Sequence, residues 1–484
     1  MNGDNNVQRN KRRLLIETAA LAFRGRLAEE IDALPVKLFP KGSTPTRCCI
    51  YKSRAITRYR LMAVLGYSTQ DETDECTPLS EYVRRAEESP PRSGPILTVI
   101  NEACSACLKG RHYVTNVCRG CVARPCVTNC PKQAVQIISG RARIDEERCV
   151  NCGLCLQQCP YHAIVYVPIP CEEVCPVGAI RKGPDGHEQI DDDKCIDCGK
   201  CLQACPFAAI AERSQMVDVI RRLREQKPIA ALLAPAAAGQ FPQEFSKLVS
   251  ALLKMGFTRV VEVAAGAEMT ARHESRELQE KIGAGQAFLT SSCCPAYVQA
   301  VRKHIPALAP FVSQTPSPMH FTAQQVKQQQ PDMLTVFIGP CIAKRREAVE
   351  NPYVDYVLTT DELGAMLVAA GIELADCPPA EWAESPLPQA RAFAVSGGVT
   401  ETLRAVSRQP DAVRPMLIDG LDKKSLKLLS LLPARGTGGA NFVEVMSCAG
   451  GCVAGPCNIS QPKTAARKVR DFAGLQSPAA RAVS

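Results

Sequence analysis

Cysteine is the residue type whose spacing promises chemistry here. It occurs 26 times in 484 residues, mostly in repeated short patterns. Cys149-x2-Cys152-x2-Cys155-x3-Cys159-Pro160 and Cys195-x2-Cys198-x2-Cys201-x3-Cys205-Pro206 share one pattern. Cys118-x2-Cys121-x4-Cys126-x3-Cys130-Pro131 is a stretched form of it, and Cys171-x3-Cys175-Pro176 is its second half. Three close thiolates can hold one iron–sulfur cubane while the fourth, followed by proline, reaches over to the neighbouring cluster. Three more cysteine loops lie far apart in the second half: Leu289-Thr290-Ser291-Ser292-Cys293-Cys294-Pro295, Ile338-Gly339-Pro340-Cys341-Ile342-Ala343-Lys344, and Met446-Ser447-Cys448-Ala449-Gly450-Gly451-Cys452. Each ends a hydrophobic stretch. They can share one site only if the fold brings them together, and the Gly and Pro around them suit backbone packed against a bulky inorganic group. That arrangement implies a deeply held iron–sulfur centre.

The first set resembles bacterial ferredoxin modules, fused in tandem. Pro131-Lys132-Gln133-Ala134-Val135, Pro160-Tyr161-His162-Ala163-Ile164, Pro176-Val177-Gly178-Ala179-Ile180 and Pro206-Phe207-Ala208-Ala209-Ile210 each follow a fourth cysteine. Crosswise sharing then groups Cys118, Cys121, Cys126 and Cys159; Cys149, Cys152, Cys155 and Cys130; and Cys195, Cys198, Cys201 and Cys175. Cys171 and Cys205 lack two partners, and Cys104-Ser105-Ala106-Cys107 is the free CxxC nearby that would complete a fourth cubane. For Cys104 and Cys107 alone, zinc or no metal is an alternative. Three to four accessory 4Fe-4S clusters follow.

The three later loops resemble the signatures of FeFe-hydrogenases, which make or split dihydrogen at an H-cluster, a 4Fe-4S cubane joined by one thiolate to a two-iron subsite with CO, CN and a bridging dithiolate. The resemblance covers roughly residues 100 to 460. It implies that Cys294, Cys341, Cys448 and Cys452 hold the cubane, with Cys452 bridging to the two-iron unit. Cys293 is then the thiol that passes protons, Lys344 the partner of an iron-bound cyanide, Met446 a packing residue on the subsite, and Glu347 a proton-path carboxylate. Glu277 and Ser313 fall near proton-path positions by alignment. On the residues alone, Cys293 can also be an inert buried thiol, and Lys344 with Glu347 an ordinary ion pair three residues apart. Gly339, Tyr297, Ala236, Met319 and Pro456 depart from familiar members, as in a divergent monomeric subgroup. Such changes leave the bias between evolution and uptake open.

These loops need rigid elements to place them. Ile229–Leu233, Arg259–Val263, Leu334–Ile338 and Tyr356–Leu358 read as buried strands, and Ala392–Gly398 as another strand running into a glycine turn. A helix with Phe245, Leu248, Val249, Leu252 and Met255 on its apolar side closes at Gly256, and Thr359 with Glu362 forms a capping box. Strands alternating with helices predict α/β lobes with parallel sheet and a site at the strand ends. The whole reads as an α+β and α/β multidomain chain: a mainly helical region with linker (1–95), two fused ferredoxin-like 4Fe-4S modules (96–215), a two-lobed α/β H-cluster domain (216–475) and a tail (476–484). Leu14 to Ile31 reads as one amphipathic helix, not a signal peptide, since Glu17 interrupts its apolar stretch. The adjacent Cys48 and Cys49 read as buried small hydrophobes, with a metal role as the alternative, and Cys76 stands alone. Cys377 and Cys457 read as packing or exposed thiols.

No apolar run reaches the roughly 20 residues of a membrane helix. Cysteines in metal spacings without a convincing export signal suggest a reducing, anaerobic cytoplasm. A formal charge of +9 without long like-charge runs and only 5 % aromatics argues against nucleic-acid binding. It fits either a plain soluble surface or a basic face that steers ferredoxin or a similar acidic electron carrier. The expected function is reversible reduction of protons to dihydrogen, with maturation proteins supplying the H-cluster. A hydrogen sensor with a slow site, and a non-catalytic iron–sulfur electron-transfer protein, are the alternatives.

Overall fold

The computed structural model describes residues 5–45, 47–72, 74–88, 94–107, 110–382 and 385–474. Residues 89–93 of the expected linker and the tail from Gln476 lie outside the described residues.

Ile229–Leu233 is an all-apolar strand, buried at every position, and it sits inside a four-stranded parallel sheet. Arg259–Glu262 flanks it on one side, and Leu334–Gly339 then Tyr356–Thr359 on the other. A strand buried on both faces has no polar alternation to show, which is why these segments read as continuous apolar runs. Leu289–Thr290, Phe442–Met446 and Pro415–Asp419 form a second parallel sheet, with Phe442–Met446 central. The helix Phe245–Met255 closes at Gly256 (φ +112), and Thr359 and Glu362 form the capping box of the helix Thr360–Ala369.

Ala392–Gly398 is not a strand. Ala392–Ala394 is a short 3-10 turn, and the helix Gly398–Val406 follows. Its backbone is drawn off by other partners: Ser396 N–H donates to Gly450 O (3.2 Å), and the Glu444 carboxylate accepts from Gly397 N (2.7 Å) and Thr400 N (2.9 Å). A carboxylate at a helix N-terminus satisfies donors that the helix leaves free.

The N-terminal helix Asn6–Arg24 stops earlier than its apolar pattern, because Gly25 adopts φ +74 and caps it; a short helix, Leu27–Glu30, follows. Its buried face (Leu14, Leu15, Ala19, Leu21, Ala22) shares one hydrophobic core with Ile229, Leu233, Leu248 and Met366. Lys11 on the same helix reaches Glu212 (2.7 Å) and Asp361 (2.9 Å). Cys48 is exposed and Cys49 half-buried, so the expectation of a buried pair fails; the lone Cys76 is exposed. Cys49 instead caps the helix Ile50–Val64, its sulfur accepting from Lys52 N. Cys377 and Cys457 are buried.

Residues 110–213 form small antiparallel ribbons, Arg111–Val114 with Ile164–Val167, Val135–Ile138 with Arg141–Ile144, and Ile180–Lys182 with Glu188–Ile190. No described helix is long and apolar enough to cross a membrane.

Candidate metal centres and active site

The three late cysteine loops leave the C-terminal ends of Leu289–Thr290, Leu334–Gly339 and Phe442–Met446, one in each case. The first and third strands are hydrogen-bonded neighbours and the second belongs to the other sheet. Cys293, Cys294, Cys341, Cys448 and Cys452 thereby line one cavity with about 870 Å³ of empty volume, together with Lys344 and Met446. Its remaining walls include Ala234, Ala236, Val263, Met319, Phe337 and Phe393. Two glycines let the loops close on one another. A Cβ on Gly451 (φ +92) would stand 2.5 Å from the Ala394 carbonyl oxygen, and one on Gly455 would stand 2.5 Å from that of Pro340. Tyr297 lies outside the cavity walls, fully buried, with its hydroxyl 2.7 Å from Thr290 Oγ1.

Burial, then neighbouring thiols, lifts Cys341 to about 11 and Cys452 to about 12. Cys294 and Cys448 also rise, chiefly by burial. Such a set of sulfurs is costly to ionise in a dry cavity and becomes favourable only around bound cationic metal. Four thiols, an apolar wall and space for a bulky group fit a thiolate-ligated iron–sulfur group.

Cys293 is the fifth thiol in the same cavity wall. Burial raises its pKa, and the Glu274 carboxyl adds to the rise. Glu274 is fully buried on the helix Ala264–Gly283, and burial pushes its pKa up to about 8. Its Oε1 accepts from Ser292 N (3.2 Å), while Oε2 has no hydrogen-bond partner. Ser313 interacts with Glu274 and donates to Glu277 Oε2 (2.6 Å). Glu277, half-buried, also accepts from Thr315 Oγ1 (2.9 Å) and Gln314 N (2.9 Å). The structure therefore brings Cys293, Ser313 and Glu277 together through Glu274, a residue that motif reasoning missed. Its signal was present as Glu274-x2-Glu277, two carboxyls on one helical face.

Lys344 is buried against Glu347 (2.6 Å), Ser317 Oγ (3.2 Å) and the Cys293 carbonyl (3.4 Å). Burial opposes its charge, but the Glu347 carboxylate together with the neighbouring sulfurs of Cys341 and Cys293 outweighs it, and its pKa is raised. Glu347 and Ser313 both line a second, broad cleft of about 1290 Å³. Two adjacent residues on the Lys344 helix reach other parts of the molecule. Arg345 pairs with buried Glu362 (2.7 Å), and Arg346 with Asp197 (2.9 Å) inside the Cys195–Cys198 loop.

In the first module, Cys118, Cys121, Cys126 and Cys159 line one small cavity, and Cys130, Cys149, Cys152 and Cys155 line another. In the second, Cys175, Cys195 and Cys198 act together on Cys201, while Cys104 and Cys205 act on Cys107, and Cys205 on Cys171. In both groups burial is the larger cause of the raised thiol pKa. Cys198 also lines the central cavity. The Pro-x-x-Ala repeat has a local reason. After each fourth cysteine a left-handed residue, Gln133, His162, Gly178 or Ala208, turns the next amide onto the sulfur. Ala134, Ala163, Ala179 and Ala209 N–H donate to Cys130, Cys159, Cys175 and Cys205 Sγ at 3.2, 3.3, 3.2 and 3.4 Å.

Residues 227–456 match the iron only hydrogenase large subunit, C-terminal domain; residues 142–165 match a 4Fe-4S binding domain and 165–216 the LdpA Fe-S cluster-binding domain. Iron hydrogenase 1 of Clostridium pasteurianum is 26% identical over 388 residues, 67% of this chain and 66% of its own length. The periplasmic Fe hydrogenase large subunit of Nitratidesulfovibrio vulgaris is 29% identical over 373 residues, 65% of this chain and 85% of its own. The chain thus spans just under two thirds of the clostridial relative, and 44% of the NADP-reducing hydrogenase subunit HndD of Solidesulfovibrio fructosivorans, at 28% identity over 43% of this chain. An apo FeFe-hydrogenase structure from Chlamydomonas reinhardtii aligns with TM-score 0.43 and 21% identity over 53% of this chain and 88% of that one. Residues 227–456 of this chain thus match the iron only hydrogenase large subunit, C-terminal domain, and iron–sulfur-binding modules precede them.

Proposed function

We propose that the chain catalyses reversible reduction of two protons by two electrons to dihydrogen at an H-cluster. Cys294, Cys341, Cys448 and Cys452 would hold its cubane. The observation that carries this reading is the convergence of three strand-end loops on one apolar cavity, with a fifth thiol and a buried lysine in its wall. When bound, the two-iron unit supplies an open Lewis-acidic iron and an adjacent base. The chain's own residues would do the rest. Lys344, kept cationic by Glu347, offers a donor to an anionic group in the cavity. Cys293 hands protons toward Glu274, which is protonated at neutral pH, and Ser313 and Glu277 continue the path toward the second cleft. Met446 and the other apolar walls exclude water.

Electrons would travel through four cubanes held by the cysteine groups above, ending at Cys198 beside the cavity.

The test is infrared spectroscopy of anaerobically matured protein with hydrogen evolution from reduced ferredoxin. Carbonyl and cyanide bands, with turnover falling at least about a hundredfold in Cys293→Ala, are expected. Bands with very slow turnover in the unaltered chain would instead indicate a sensor. No bands, with cubanes present and maturation proven on a control enzyme, would leave an electron-transfer protein.

A further inference from the structure

The first iron–sulfur module carries a surface that the reaction itself does not explain. Between residues 111 and 144 there is no Asp or Glu, but six cations: Arg111, Arg119, Arg124, Lys132, Arg141 and Arg143. Arg111 pairs with Glu146; the other five are exposed and form no ion pair among the described residues. The second module reverses this balance, with nine carboxylates to five cations over 168–213, so the positive face is local.

That face also presents apolar side chains. Val122 is 98% exposed, Val117 53% and Tyr161 50%. Tyr161, Arg119 and Cys121 line the Cys118 cavity. The loop carrying Arg119 rests on the turn carrying Arg141, since a Cβ on Gly120 would meet the Gly140 carbonyl.

Topology makes this the outermost redox site. The strand Arg111–Val114 pairs antiparallel with Ile164–Val167, Arg111 opposite Val167 and Val114 opposite Ile164. From the Arg111/Val167 end, Val167 leads directly into the helix Pro170–Val174, which carries Cys171 of the second module. His112 lines the Cys130 cavity, whereas Val114 and Ile164 line the Cys118 cavity beyond it.

We propose that Val117, Val122 and Tyr161, within the cationic rim of Arg119, Arg124 and Arg141, form the docking surface for a small acidic one-electron carrier protein, which exchanges electrons with the Cys118/Cys121/Cys126/Cys159 site. The commitment to an acidic protein rests on charge complementarity together with an apolar centre, the anatomy of a transient protein interface. One electron crosses per encounter, with no bond made or broken, so each dihydrogen formed requires two encounters. This deepens the proposed function and rests on it for the direction of electron flow, but the docking itself can be measured without turnover.

The probe is an acidic two-cluster bacterial ferredoxin, titrated by calorimetry onto cluster-loaded protein and used separately as electron donor; methyl viologen serves as a carrier-independent donor. The variant is Arg124→Glu/Arg141→Glu, which leaves the cavity-lining Arg119 in place, with iron content and electron paramagnetic resonance as the folding control. Ferredoxin affinity is expected to fall at least about tenfold, and KM for ferredoxin to rise in step, while the viologen rate and cluster spectra hold. On the unaltered protein, affinity should weaken steadily as salt rises. That second measurement decides the matter if the variant loses iron. Salt-independent binding, or variant binding equal to the parent, overturns the proposal. So does capture of duplex DNA or phosphatidylserine vesicles at this face without ferredoxin binding. Loss of viologen activity in the unaltered chain would sink the hydrogenase reading while leaving the binding result to stand.

Discussion

Glu274 shows what one buried carboxyl can do. At a folded pKa of about 8 it stays protonated where an unfolded glutamate, near 4.3, is ionised. Between those values the native state holds a proton that the unfolded chain has lost. Stability therefore falls with rising pH, at about 1.4 kcal/mol per unit, until about pH 8. Glu274→Gln removes that dependence. Anaerobic denaturant titrations should find the variant gaining on the parent from pH 5 to 8, and a constant difference would contradict the assignment. Hydrogen evolution should fall in the same variant, since glutamine keeps the shape but cannot relay a proton. The family resemblance reached Cys293 by its motif and Ser313 and Glu277 by alignment, but passed over Glu274. A cysteine signature has fixed spacing, whereas a carboxyl on a long helix becomes special only through what the fold packs around it.

At the level of elements, the site depends on loops that close without side chains in the way. Gly451→Ala combines a backbone conformation (φ +92, ψ −168) essentially confined to glycine, which costs an alanine about 1–3 kcal/mol, with a clash against the Ala394 carbonyl. The variant should retain iron in its accessory modules and lose it from the central cubane, which iron counting and electron paramagnetic resonance would separate. Unchanged central iron would mean that the loop yields easily. The strands of the larger sheet were legible because buried parallel strands are unbroken apolar runs, and the cysteine groups because crosswise spacing leaves few pairings. Ala392–Gly398 looked equally apolar and misled. What decides its conformation is the Glu444 carboxylate, 46 residues beyond Gly398, which periodicity cannot report.

For the whole molecule, the N-terminal helix is part of the core. Leu14, Leu15 and Leu21 are each at most 5% exposed against the sheet-bearing domain. Burying a leucine contributes about 1.5–3 kcal/mol, so removing residues 1–26 should forfeit a large share of the 5–15 kcal/mol typical of a folded domain. Such a truncation should lower the melting temperature sharply or leave the chain insoluble; a soluble variant with unchanged melting would show that the docking is dispensable. The helical character of this region was plain from sequence. Its attachment was not, because Lys11 meets Asp361 across 350 residues of chain.

Lys344, Arg345 and Arg346 sit side by side on one turn, yet each serves a different body: the central cavity, the Glu362 core and the Cys195–Cys198 loop. Successive helical residues diverge by roughly 100°, so their three directions are fixed by consecutive order alone. The segment behaves like a three-toothed key. Individual teeth can be recut by substitution, but adding or removing one residue misaims all of them, so length here is a stricter inheritance than identity.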